Sequence, residues 1–167
     1  KIINNMYCEI CTFDDVLPIW NKKLWPNRVS KIKSRSALYW DVRQWIRFCN
    51  ISITKKQKEI LKYEPTFFCI RDNDNIIGVN SGFRTEDKVY RSRGLYVDRD
   101  YRTQGLAQIL LKATIQQGIQ EGCVWIWTMP RKTALPAYNK SGFMKVGDWI
   151  EEGVEFGPNC LAVLKLL

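Results

Sequence analysis

Residues 100–111 read DYRTQGLAQILL, and within them Arg102, Gly105 and Ala107 form the spacing R-x-x-G-x-A at the point where a strand-like run gives way to an apolar helix. The first turn of a helix has up to four backbone N–H groups without internal partners, and these groups with the helix dipole make a seat for an anion. Gly105 removes the side chain that would hold a phosphate off the backbone, Ala107 is small for the same reason, and Arg102 can add a charge-assisted contact. Three or four amides of that kind, each worth about 1.5 to 3 kcal/mol against a charged group, hold a pyrophosphate without a metal. The plainer reading is that Gly105 only eases a turn and Arg102 is solvated. Neither G-x-x-x-x-G-K-[ST] nor G-x-G-x-x-G occurs in the chain, which argues against a nucleotide triphosphatase or a Rossmann dehydrogenase.

The 167 residues contain no histidine, so Ser-His-Asp and Cys-His machinery is absent and proton chemistry must use Tyr, Cys, Lys, carboxylates or water. Six cysteines lie mostly in apolar runs and read as reduced, buried small side chains. Cys8-x-x-Cys11 is the one metal-like pair; with no second pair and no histidine, no metal site is expected. Twenty-six Lys and Arg against seventeen acids give +9, a balance that attracts anions such as a phosphorylated cofactor, nucleic acid or acidic lipid without choosing among them. Hydrophobic residues make up 46%, no run of eighteen is uninterruptedly apolar, and KIINNMYCEI lacks the order of a signal peptide. The expectation is a single domain spanning 1–167, soluble and cytoplasmic, with no membrane contact.

The elements that must position these residues alternate. Residues 6–12 suggest a short strand, followed by a helix capped by Asp14 or Asp15, with Leu17, Trp20 and Leu24 on one face, ending near Pro26. From Ser36, Leu38, Val42, Trp45 and Cys49 recur at helical steps with Ile46 beside them, and Thr54-x-x-Gln57 resembles a capping box before a short helix bearing Ile60 and Leu61. TFFCIR, DNDN and IIGVNSGF form a hairpin pattern, and 89–97 a further strand whose odd members Leu95 and Val97 suit a core face. A helix from about Gln104 to Glu121 closes at Gly122; CVWIWTM is a buried strand, KTALPAYNKSGF carries a short helix, and two strands end the chain. The fold class is α/β (α+β), with the long helix at its centre.

With these elements in place, LYVDRDYRTQGLAQILL resembles the central motif of the GNAT superfamily of N-acetyltransferases, [RQ]-x-x-G-x-[GA], filled by Arg102, Gly105 and Ala107. The family's second hallmark, A-x-x-x-Y-x-x-x-G-F, is matched by Ala134, Tyr138, Gly142 and Phe143. The resemblance covers about 66–150, and more loosely Thr12 to Asp15; no motif is assigned over 27–64. It implies a mixed, mostly antiparallel sheet whose fourth and fifth strands splay apart, flanked by helices, with acetyl-CoA in the gap. It further implies that the backbone of Leu95, Tyr96 and Val97 pairs with the pantetheine arm. Arg102, Thr103 and the amides of Gln104, Gly105, Leu106, Ala107 and Gln108 then receive the pyrophosphate, and Tyr138 is the proton donor to the departing thiolate. No metal takes part.

Acetyl transfer to a lysine-like amine of pKa near 10.4 requires neutralising it, at a cost of about 4.6 kcal/mol at pH 7. Some members place a carboxylate on the fourth strand for this, but here it reads Tyr90-Arg91-Ser92-Arg93-Gly94. Glu86, Asp87 or Asp41 acting through water are the remaining acids, each equally suited to a surface. Arg131 stands where many members have Asn. Arg91 and Arg93 share parity with Leu95 and Val97; in the acceptor cleft they favour an anionic acceptor, otherwise they are paired or solvated. Trp20, Trp40 and Trp45 either line an acceptor pocket or, as their spacing suits better, pack the core. The acceptor amine is open among small amines, antibiotics, amino acids and protein amines, and the oligomeric state between monomer and homodimer. Two rival functions are a non-catalytic acyl-CoA-binding module of this fold and a basic nucleic-acid-binding domain, the latter lacking any recognised motif.

Overall fold

Thr12 and Asp15 lock the start of the first helix in a capping box: the Thr12 amide donates to the Asp15 carboxylate at 2.9 Å and the Asp15 amide to the Thr12 hydroxyl at 3.2 Å. The cap is therefore Thr12, not Asp14 or Asp15, and the acid is its reciprocal partner. In the computed structural model, which describes residues 7–28, 54, 55, 58 and 62–166, strand β1 (Glu9–Cys11) leads through this cap into α1 (Phe13–Ile19). The cap sets the helix so that Phe13, Val16 and Trp20 are buried, with Leu17 and Leu24 packed at the margin of the same cluster. Pro18 has no amide to donate, and the helix widens after it into a π turn over Trp20–Leu24, closed by the Trp25 amide on the Trp20 carbonyl at 2.7 Å. The helix expected from Ser36 through Cys49, with Trp40, Asp41 and Trp45, lies outside the described residues, as do Gln57, Ile60 and Leu61 of the next segment.

The remaining elements follow the expected order: β2 (Thr66–Asp72), β3 (Asn75–Glu86), β4 (Val89–Val97), α2 (Leu106–Gln120), β5 (Trp125–Thr128), α3 (Leu135–Lys140), β6 (Met144–Ile150) and β7 (Asn159–Lys165). They form a seven-stranded sheet in the order β1-β2-β3-β4-β5-β7-β6, antiparallel except between β4 and β5. On one face α1 covers Phe67, Cys69 and Val79. On the other, α2 lays Leu106, Leu110 and Leu111 against Phe68, Ile70, Tyr90 and Ile126. The fifth strand is less buried than its composition suggests, because Trp125 faces outward at 43% exposure.

Two departures from regular pairing shape the middle of the sheet. The parallel ladder of β4 and β5 has only three rungs, Val89–Trp125, Tyr90–Ile126 and Arg91–Trp127, and beyond Arg91 the two strands diverge. On its other side β4 bulges: its register with β3 moves from Val79–Tyr96 to Ser81–Arg93, so Gly94 and Leu95 together oppose Asn80. The extra residue reverses the alternation of side chains. Tyr90 and Ser92 face α2 before the bulge, Leu95 and Val97 face it after, and Arg91 and Arg93 point to the α1 face. The parity expected to unite 91, 93, 95 and 97 therefore fails at Gly94.

Gly94 has φ +84, and a Cβ there would stand 2.4 Å from the Trp20 indole, whose Nε1 donates to the Gly94 carbonyl at 2.9 Å. Asn80 fixes the facing strand, donating to Ser92 Oγ and to Thr114 Oγ1 on α2, both at 2.9 Å, and Ser81 Oγ donates to the Arg93 carbonyl at 2.7 Å. Positive-φ strain and a side-chain clash act together here, so Gly94→Ala is expected to lower stability by about 2 kcal/mol or more in urea unfolding. An unchanged midpoint would mean that the bulge tolerates a side chain.

Candidate active site

Where β4 and β5 part, a cleft of about 810 Å³ opens through the sheet, lined by residues of both faces. Its first wall is the β4 edge: Leu95, Tyr96 and Val97 line it, and their backbone has no β5 partner. Its second wall is the loop into α2. There Thr103 and Gly105 adopt positive φ of 69 and 79, and Gly105 is the helix N-cap. A Cβ at Gly105 would meet nothing within 4 Å, so the glycine is demanded by backbone conformation and leaves open space above the helix end. The first amide with a helical acceptor is that of Ile109, bonded to the Gly105 carbonyl at 3.2 Å; those of Leu106, Ala107 and Gln108 precede it. Arg102 lies over the Tyr96 ring and its Nε donates to the Val97 carbonyl at 3.0 Å, pinning loop to strand. Gln108 donates to the Ala137 carbonyl at 3.2 Å and pins α2 to α3. Of the ten residues expected around the anion and the β4 edge, all but Gln104 line the cleft.

Tyr138 also lines it, from the α2 side. The second hallmark is the structure of the short helix that carries it. The chain leaves α3 at Gly142, with φ +96, the Phe143 amide returns to the Tyr138 carbonyl at 3.1 Å, and the two rings meet edge to face at 5.3 Å. Tyr138 is thus both core packing, at 4% exposure, and a cleft residue. Burial pushes its phenol above the usual tyrosine range, while the hydroxyls of Thr128 and Ser92 and the charge of Arg91 oppose that shift.

The α1 end of the cleft is cationic. Arg93 is 7% exposed with its guanidinium 4.7 Å from the Trp25 ring centre, and Arg91 is partly buried with its own 4.3 Å from that of Trp127. Nε and Nη1 of Arg93 and Nε of Arg91 are buried without a hydrogen-bond partner among the described residues. Burial, then the charges of Arg91 and Arg28, bring the Arg93 pKa down to about 9, and burial brings that of Arg91 to about 10. Both remain charged at neutral pH. Arg131 donates to the Leu24 carbonyl at 2.7 Å and lies over Phe156, tying the end of the π turn to the loop between β6 and β7.

The acids considered for proton removal do not gather here. Glu86 and Asp87 are exposed at the β3–β4 turn outside the cleft, and Asp41 lies outside the described residues. Among the described lining residues the one carboxylate is Glu155, exposed in the β6–β7 loop, which sequence reading missed. Its neighbourhood became visible only through the long connection that folds back over the cleft. Trp25 and Ser92 were missed too: Trp25 sits just past a helix whose end shifts by a π turn, and Ser92 faces α2 by an alternation that breaks two residues later. Trp20 packs in the core, as its spacing suggested.

Residues 32–143 match the acetyltransferase (GNAT) family, a span that begins well before the motif-bearing region. The chain belongs to the GNAT acetyltransferase family. Solved structures agree on the fold. An N-acetyltransferase from Staphylococcus aureus Mu50 has a TM-score of 0.66 at 16% identity, covering 98% of this chain and 100% of that one. Ard1 from Thermoplasma volcanium has a TM-score of 0.66 at 13% identity, with 96% and 97% covered. A GNAT family acetyltransferase from Elizabethkingia anophelis with acetyl-CoA bound has 0.62 at 16%, with 98% and 100% covered. No curated protein matches in sequence. The splayed strands, the long helix and its glycine cap, and the α3 hallmark are thus this chain's version of the GNAT fold. Among the described residues no three or more His, Cys, Asp or Glu gather as a metal site, and no helix is long and apolar enough to cross a membrane.

Arg131→Met removes the guanidinium bond to the Leu24 carbonyl and is expected to cost about 1 to 2 kcal/mol in urea unfolding followed by tryptophan fluorescence. Wild-type stability in that variant would show that the tether contributes nothing.

Proposed function

We propose that this protein is an N-acetyltransferase of one domain that moves an acetyl group from acetyl-CoA to a primary amine, without a metal. The observation that carries this reading is the convergence, in one cleft, of the unpaired β4 edge, the Gly105-capped helix end and the buried Tyr138. The open space over Gly105 fits an anion: a side chain there would fill it. On this reading the backbone of Leu95, Tyr96 and Val97 holds the pantetheine arm. The loop residues Arg102 and Thr103 and the amides of Gln104, Gly105, Leu106, Ala107 and Gln108 hold the pyrophosphate. Acetyl-CoA, when bound, supplies the acetyl group as an activated thioester.

Tyr138 holds a proton at its hydroxyl for the thiolate that the transfer releases. Its raised pKa keeps that proton in place through neutral pH, and Arg91, Thr128 and Ser92 stabilise the phenolate left behind. The incoming amine loses its proton through water towards Glu155 or bulk solvent, since Glu155 is the one carboxylate along the described cleft. The five described cysteines are unpaired, which fits a cytoplasmic location.

Acetyl-CoA turnover with a broad panel of amines tests the reading: CoA binding with no amine acetylated would leave only an acyl-CoA-binding module. Gly105→Val should raise the CoA dissociation constant by about tenfold or more through the loss of one or more charged hydrogen bonds; an unchanged constant would sink the phosphate seat. Tyr138→Phe should lower turnover by about 10²-fold or more while CoA affinity holds. A donor acts while protonated, so its contribution persists below its pKa and is lost as pH rises through it. The Tyr138 contribution should therefore persist unchanged through neutral pH, and a fall in the wild-type rate near neutrality would remove Tyr138 from that role.

A further inference from the structure

We propose that Arg93, with Arg91 beside it, binds a carboxylate carried by the acceptor, so that the substrate is a small amino acid-like amine rather than a lysine side chain or a polyamine. This rests on the transferase reading above and names the class of amine it takes.

Among the described residues two half-buried arginines have acidic partners, Arg71 with Glu9 at 2.6 Å and Arg84 with Glu121 at 3.2 Å. Arg93 is more buried than either and has no acidic partner among the described residues. Burying a cation without a counter-ion is costly. The Trp25 face offsets part of that cost, yet a ring face supplies no hydrogen-bond acceptor, and two of the Arg93 nitrogens remain unsatisfied. Both arginines line the cleft, so the missing acceptor can arrive from it. A carboxylate suits the vacancy: it is anionic, planar and small enough for a position so enclosed, and its two oxygens accept from guanidinium N–H groups.

The position of the pair sets where the carboxylate stands in the cleft. The carbonyl of Arg93 is held by Ser81 directly before the bulge, and Arg91 is near enough to Tyr138 to act on its phenol. A carboxylate bound there shares one cleft with Tyr138, which fits an acceptor that carries an acid as well as its amine. Lys23 and Arg131 line the cleft as well, and Arg28 acts on Arg93 through space, with Glu155 the only described lining group of opposite sign. A cationic acceptor without an acid group meets repulsion along this wall.

The deciding experiment compares kcat/KM for the common L-amino acids with that for the same compounds as amides, in wild type, Arg93→Met and Arg93→Lys, together with CoA affinity and thermal unfolding. The expected result is an acid-over-amide preference of about 10- to 100-fold in wild type, lost in Arg93→Met and reduced in Arg93→Lys. CoA affinity should be unchanged, and the melting temperature equal or higher on removing a buried unpaired charge. Amides acetylated as well as acids by wild type, or both falling alike in Arg93→Met, would overturn the proposal. A second readout needs no turnover: arginine Nε–H resonances of the CoA-bound wild type, titrated with the same acids and amides. Saturable shifts of Arg93 with acids alone support the carboxylate site even where no acetylation occurs, which would count against the transferase reading only. No shift with any acid overturns the site, whether or not amines are acetylated.

Discussion

One extra residue in β4 organises this molecule. A regular strand from Val89 to Val97 would present Arg91, Arg93, Leu95 and Val97 on a single face, with charge and core in conflict. The bulge opposite Asn80 sends the arginines to the α1 face and the aliphatic pair onto α2. Only a residue at ease with positive φ fits at Gly94, and the Trp20 indole closes over it. A buried set of hydroxyl and amide groups, Ser92, Asn80 and Thr114, holds the opposite side. Polar groups are affordable there because each bond offsets desolvation that would otherwise favour sliding back into regular register.

The same kink explains why the sheet opens. Past Arg91 the bulged strand no longer runs beside β5, and the backbone of β4 faces a gap instead of a neighbour. Unpaired backbone at the centre of a sheet is unusual, since an open edge invites pairing with another chain. Here its access is limited by walls: the α2 cap loop on one side and the β6–β7 connection on the other. An extended ligand can therefore complete the ladder where another strand cannot. The glycine cap of α2 sits at the far end of that gap, so a long molecule with an anionic middle matches both features at once, whereas either alone would describe many ligands.

The family, the described elements from β2 onward and both walls of the cleft except Gln104 were legible in sequence: R-x-x-G-x-A marks a helix cap, and the spacing from Tyr138 to Phe143 is that of a helix closed by a left-handed glycine. What could not be read was decided by tertiary contact. A period-two pattern carries no sign of where the count slips by one, so the faces of Arg91 and Arg93 came out coupled to the wrong neighbours. Asp14 and Asp15 are good caps in isolation, but Thr12 precedes them and uses Asp15 as its partner. Glu155 lies in a loop whose path depends on the Arg131 tether from the other side of the cleft. Glu86 and Asp87 looked available only because no linear pattern reports distance from a cleft.

The absence of a carboxylate on β4 reads differently once the arginines are in place. A site that neutralises an ammonium with a nearby acid must also keep that acid charged in a low-dielectric cleft, whereas a site lined by buried cations makes the ammonium itself the disfavoured form. Arg93 and Arg91 act in that direction on any amine that reaches them; burial lowers the pKa of both, and for Arg93 the charges of Arg91 and Arg28 lower it further. Such a wall would also repel the substrate unless something draws it in. A carboxylate on the acceptor resolves the conflict, because it pairs with the guanidinium groups while its amine is left in a field that favours the neutral nucleophile. On the reading proposed above, one pair of residues serves both recognition and the neutral form of the amine, whose proton leaves through water.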